Sequence, residues 1–163
     1  MEETTIGIDG TSARILQELQ KDGRLSNVEL SQIIGMSESP CFRRVRQLEQ
    51  AGIISGYAAR VDQRKLGLPV TAYVTVSVDK QDEKKRQEFI RRVQQEEHII
   101  ECHATSGSSD FLLKIVAHSI DHFSEISMRG ILKWPGVRNM ESQFSLEVVK
   151  AGAPLPAVAG TRR

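Results

Sequence analysis

Residues 70–78, VTAYVTVSV, place valine or alanine at every second position, with threonine, tyrosine or serine between them. Only a β-strand turns alternate side chains to opposite faces, so this stretch buries one face and leaves the other polar. The chain after it must supply partner strands and a cover for the valine face, and it does so in order. DKQDEKKRQEFIRRVQQEE predicts a charged helix with a narrow stripe of Phe89, Ile90 and Val93. Residues 99–106 and 111–117 read as two strands around the turn SGSSD. Ser119 caps a helix bearing Ile120, Phe123, Ile126 and Ile131, which Trp134-Pro135-Gly136 stops. Met140, Ser142, Phe144, Leu146 and Val148 alternate along a last strand. The order β-α-β-β-α-β is that of a ferredoxin-like domain with an antiparallel sheet.

Upstream of Pro69 the period is that of helices. Ile15, Leu16 and Leu19 form one stripe, capped by Asp9 or Thr11 and closed by Gly23. Ser26 or Asn27 caps a second short helix carrying Val28, Leu30, Ile33 and Ile34. The break Gly35-Met36-Ser37 leads into a third, SESPCFRRVRQLEQ, with Gly52 as its C′ glycine. IISGYAARVD then reads as a short strand or hairpin around Gly56. The chain divides into a helix-turn-helix domain (1–55), a connector (56–68), the βαββαβ domain (69–150) and a loose tail (151–163). The fold class is α+β.

In these 163 residues, 22 lysines and arginines face 21 acidic residues, for a net charge of +1. Overall charge therefore names no partner, and a nucleic-acid reading must rest on local clustering. The third helix holds such a cluster. At 100° per residue, Cys41, Val45 and Leu48 face the core, Ser39, Arg43, Arg46, Gln47 and Gln50 face away, and Arg44 sits on the flank. Pro40 lies in the first turn, where its missing N–H breaks no helical bond. Arginine pairs bidentately with guanine O6 and N7 and glutamine with adenine, while arginine and serine also hold phosphates. A charged run is often only a solvated helix face. The preceding helix and the Gly-Met-Ser break favour double-stranded DNA, with Ser37, Ser39, Pro40, Arg43, Arg44, Arg46 and Gln47 as the contacting set. The polar face of the sheet carries Tyr73, Leu112 and Val116 among polar residues, a mixture suited to a second copy of the chain. Twofold symmetry would present two recognition helices to a palindromic site.

GRLSNVELSQIIGMSESPCFRRVRQLEQAGIISGYAARVD resembles the DNA-binding half of the Lrp/AsnC, or feast/famine, transcriptional regulators. The resemblance continues through KLGLPVTAYVTV, IIECHATSGSSDFLLKI and PGVRNMESQFSLEVVK, and so covers residues 9–156. It implies a winged or plain helix-turn-helix, a linker strand, and a sensor domain that dimerises, assembles to a tetramer or octamer, and binds an amino acid. It places the effector at the loop Ser106, Gly107, Ser108, Ser109 and Asp110, in a pocket between dimers. Backbone N–H groups of a Gly-Ser loop can hold an α-carboxylate, and Asp110 can meet the α-ammonium. The plain reading of the same residues is a hairpin turn. Gln143 and Ser145, on the last strand, match positions near the pocket.

Other chemistries find little support. No apolar run approaches the ~20 residues that span a bilayer. The acidic N-terminus, MEETTIGIDG, is not a signal peptide. Cys41 and Cys102 lie far apart, which fits a reduced cytoplasmic compartment. His98, Cys102, His103, His118 and His122 form no recognised zinc pattern, and no metal or cofactor is expected. No nucleotide-binding or protease motif occurs. A transcriptional regulator is therefore expected, not an enzyme. The competing classes are an amino-acid-sensing subunit of a metabolic enzyme and an architectural DNA-compacting protein.

Overall fold

A computed structural model describes residues 8–79 and 81–157. The N-terminal leader reading falls largely on residues outside that range, as does the tail beyond Ala157. The chain forms two compact units. One runs through Arg60 and takes in the segment from Lys150 onward; the other spans Val61–Val149.

The first unit is built from α1 (Gly10–Lys21), α2 (Asn27–Ile34) and α3 (Glu38–Gln50). The capping alternatives resolve to Asp9 and Ser26. Asp9 accepts from the Ser12 amide, and Ser26 forms a reciprocal capping box with Glu29. Gly35 ends α2 in the left-handed region at φ 75°, which turns the chain sharply into α3. Gly52, at φ 68°, ends α3, with Ile53 N–H returning to the Leu48 carbonyl at 3.0 Å. Ile15, Leu16, Leu30, Ile34, Cys41 and Leu48 make one buried core.

Two expectations about this unit change. The segment 53–62 forms no strand and is largely exposed. With no alternating apolar pattern, it has no face to bury against a sheet. Part of the tail, expected loose, docks on α1 at Leu155: Gln20 brackets the Leu155 backbone, accepting from its N–H at 2.6 Å and donating to its carbonyl at 3.1 Å. Ala157 also packs against the helical core.

The second unit has the expected order: β1 (Val70–Val78), α4 (Glu83–Gln95), β2 (Ile99–Ala104), β3 (Phe111–Ala117), α5 (Ile120–Ser124) and β4 (Val137–Phe144). The four strands form one antiparallel sheet in the order β2-β3-β1-β4. Ala72, Val74, Val76 and Val78 are buried under the helices with Leu113, Ile115 and Phe89. Phe89 meets Phe111 at 4.8 Å and Trp134 at 5.8 Å between ring centroids. The second helix of this unit is shorter than its apolar pattern suggests. After Ser124 it widens into a π-helical turn (Glu125–Gly130) and then tightens into a 3₁₀ turn (Ile131–Lys133). The last strand ends at Phe144. Leu146 and Val148 continue its alternation but stay exposed, because β1 offers no partner beyond Ala72↔Phe144 and the Ser145–Thr71 bond.

Candidate nucleic-acid interface and effector loop

The exposed side of α3 carries the residues a DNA reader needs. Ser37, Ser39, Pro40, Arg43, Arg46 and Gln47 are all exposed, while Cys41 and Leu48 are buried beneath them. Burial of Cys41 also pushes its thiol pKa up, as desolvation disfavours the thiolate. Ser37 occupies the N-cap of α3 but makes no side-chain capping bond. Asn27 instead donates to the Glu38 carbonyl at 3.0 Å and ties the start of α2 to the start of α3.

Arg44 departs from the rest of the set. Its Nη1 lies 2.7 Å from Asp9 Oδ2 and 3.3 Å from Ser12 Oγ, so it braces the start of α1. The Ser12 amide and hydroxyl, then the Arg44 guanidinium, hold the Asp9 carboxyl down to about 2. Flank position was legible from the helical wheel; the partner 35 residues away was not. Sequence reasoning also passed over Phe42, which is 52% exposed beside Arg46.

In the other unit, the loop 105–110 joins β2 to β3. Thr105 N–H donates to the Asp110 carbonyl at 2.9 Å, and Thr105 Oγ1 donates to the Ser109 carbonyl at 3.0 Å. Gly107 sits at φ 121°, a conformation glycine adopts without cost. Asp110 binds the end of β1 twice. Its N–H donates to the Val76 carbonyl at 2.9 Å, and its Oδ2 accepts from the Val78 N–H at 2.9 Å. The carboxylate thus braces β1 where its pairing with β4 shifts register, between Ser77 and Val78.

Gln143 and Ser145 lie toward the other end of β1. Gln143 pairs with Tyr73, and Ser145 N–H donates to the Thr71 carbonyl. At about 3.3 Å per residue, that leaves them about 13–20 Å along the strand from the loop. One chain does not bring the two parts of the predicted pocket together. On the open sheet face between them, Tyr73 and Leu112 alternate with Thr75, Lys114 and Glu141, while Val116 is buried.

Among the described residues, no group of three or more His, Cys, Asp or Glu is arranged to hold a metal ion. Three histidines nevertheless meet. The rings of His118 and His122 stack at 4.0 Å, and His98 meets His122 edge-on at 4.5 Å. Also among the described residues, no helix is long and apolar enough to cross a membrane.

Comparison with known proteins fits both units. The profile described as "Winged helix-turn-helix DNA-binding" matches residues 8–55, and that described as "Lrp/AsnC ligand binding domain" matches residues 71–155. The leucine-responsive regulatory protein of Escherichia coli K12 is 37% identical over 143 residues, covering 88% of this chain and 87% of that protein. A Neisseria meningitidis transcriptional regulator, solved as an L-Met complex, superposes with a TM-score of 0.88 at 37% identity, covering 91% of this chain and 96% of that one. An AsnC family transcriptional regulator from Agrobacterium tumefaciens gives a TM-score of 0.84 at 29% identity over the same shares.

Proposed function

This chain belongs to the Lrp/AsnC family of DNA-binding transcriptional regulators, and on that premise we propose how its two units divide the work. The helix-turn-helix unit binds double-stranded DNA, and the βαββαβ unit binds a small effector, an amino acid, that changes DNA affinity or assembly. The protein is a regulator and not an enzyme. It acts as a homo-oligomer, a dimer assembling to a tetramer or octamer, in the cytoplasm where its DNA lies. The observation that carries the reading is the face of α3: Ser39, Arg43, Arg46 and Gln47 are exposed together over a buried Cys41 and Leu48. That face presents bidentate base readers and phosphate donors from one rigid element.

Ser37, Ser39, Pro40, Arg43, Arg46 and Gln47 form the DNA surface, with Arg44 bracing it from behind. In the sensor, the amides of Ser106–Ser109 receive the effector carboxylate, and Asp110 balances its ammonium while holding β1. Gln143 and Ser145 join the same pocket from another copy of the chain, since within one chain they lie at the far end of β1. An amino-acid effector is in keeping with the Neisseria relative, solved as an L-Met complex. Footprinting on genomic fragments tests the DNA reading: a few protected palindromes support it, and uniform coverage marks an architectural protein. A thermal-shift screen of the amino acids tests the effector. A ligand at 100 times its dissociation constant stabilises by about 2.7 kcal/mol.

A further inference from the structure

Phe42 is the residue of α3 that neither the core nor the charged face explains. It keeps 52% of its surface exposed, although large aromatic groups gain most by burial. It sits beside a reader of the charged face. The Arg46 guanidinium carbon lies 5.4 Å from the Phe42 ring centroid, and Arg46 Nη1 lies 3.5 Å from Glu49 Oε2. Ring and carboxylate together guide a long, otherwise mobile side chain along one flank of the helix.

Resting on the reading of α3 as the recognition helix, we propose that Phe42 is a specificity-determining residue. It packs on the C5-methyl of a thymine and aligns Arg46 on a neighbouring base pair. In the major groove, thymine alone presents a methyl group, and every other base edge there offers donors or acceptors. A phenyl ring has no hydrogen-bonding group, so it discriminates by that methyl. The spacing suits the pair: four residues of helix rise about 6 Å, against about 3.4 Å per base pair, so the two side chains reach adjacent or next-adjacent pairs. The surface that Phe42 exposes in the free protein is then covered by its target.

Replacing thymine by deoxyuridine removes that methyl and nothing else. The probe is the tightest duplex that the full-length protein selects from a random pool, with each thymine changed to deoxyuridine in turn. Wild-type protein should lose roughly fourfold in affinity at one thymine per half-site, the value of one buried methyl group. Phe42→Ala should bind the parent duplex more weakly and show no further loss there, while Phe42→Leu keeps part of the discrimination. Equal deoxyuridine penalties in wild type and Phe42→Ala, or no sensitive thymine in wild type, overturn the assignment. So does a smaller assembly for Phe42→Ala in light scattering, which would place the ring in a subunit contact. Arg43→Ala on the same duplex separates the two readings. If it binds as tightly as wild type, the recognition-helix reading itself fails; if it weakens while the deoxyuridine penalty persists in Phe42→Ala, only the role of Phe42 fails.

Discussion

At the scale of single residues, two neighbours on α3 differ in what holds them. Arg43 is exposed, whereas Arg44 is tied to Asp9 at 2.7 Å. Arg43→Ala should therefore cost ~1–3 kcal/mol on a specific site if it reads a base. If it holds a phosphate, specific and non-specific binding should weaken together with a flatter salt dependence. Arg44→Ala should leave the salt slope unchanged and instead loosen the start of α1, by at most ~1 kcal/mol for a half-exposed pair. Titrating both variants against specific and non-specific DNA at several salt concentrations distinguishes them; equal affinity losses and equal slopes in the two variants would erase the division. Asp110 braces β1 through the Val78 amide, and the proposed function gives it a second duty, as partner of the effector's ammonium. Asp110→Asn keeps an acceptor for the Val78 amide but loses the charge. Effector affinity should fall by ~1.5–3 kcal/mol while DNA affinity without effector holds. Calorimetric titration with the amino acid found in the thermal screen decides it, and equal affinity in both proteins would leave Asp110 only its structural bond.

At the scale of elements, helix termini concentrate the local signals that sequence carries. The sequence offers Ser26 or Asn27 as the cap of α2, and the structure takes Ser26, in a capping box with Glu29. Ser26→Ala should cost ~1 kcal/mol in chemical denaturation of the helical unit, and a null effect would contradict the cap. The start of α5 behaves differently. Desolvation, then the neighbouring His118 and His98, lower the His122 pKa, against an upward pull from Glu125 and Glu96. A histidine whose folded pKa is depressed prefers to stay neutral. Its contribution to stability is present above the unfolded value of about 6.5 and is lost as pH falls below it. The His122 ring resonance should titrate below about 6.5 and move upward in His118→Asn. A midpoint at or above the unfolded value would remove the coupling. The spacing of His118 and His122 was visible in sequence. His98 joining them was not, because that contact depends on β2 and β3 lying side by side.

At the scale of the whole molecule, two cores fold behind two different periodicities. The helical core rests on Ile15, Leu30 and Leu48, and the sheet core on Val74, Leu113 and Phe89. Phe89→Ala should destabilise the sensor unit by about 3–5 kcal/mol through the cavity it leaves. Hydrogen exchange should quicken at the amides of Val74 and Leu113 and stay unchanged at Ile15 and Leu30. Faster exchange in both units would show that they unfold together. The sequence by itself determined the order of the three helices and of the βαββαβ unit, the buried face of β1, the charged face of α3 and the family, because each rests on periodicity or on local motifs along the chain. Only the tertiary structure decided that Arg44 turns back to Asp9, that the tail docks on Gln20, and that Asp110 is bonded to Val78. It alone separated the loop 105–110 from Gln143 and Ser145 along β1. Periodicity assigns a residue to a face, but the partner it meets there depends on which distant segment the fold brings alongside.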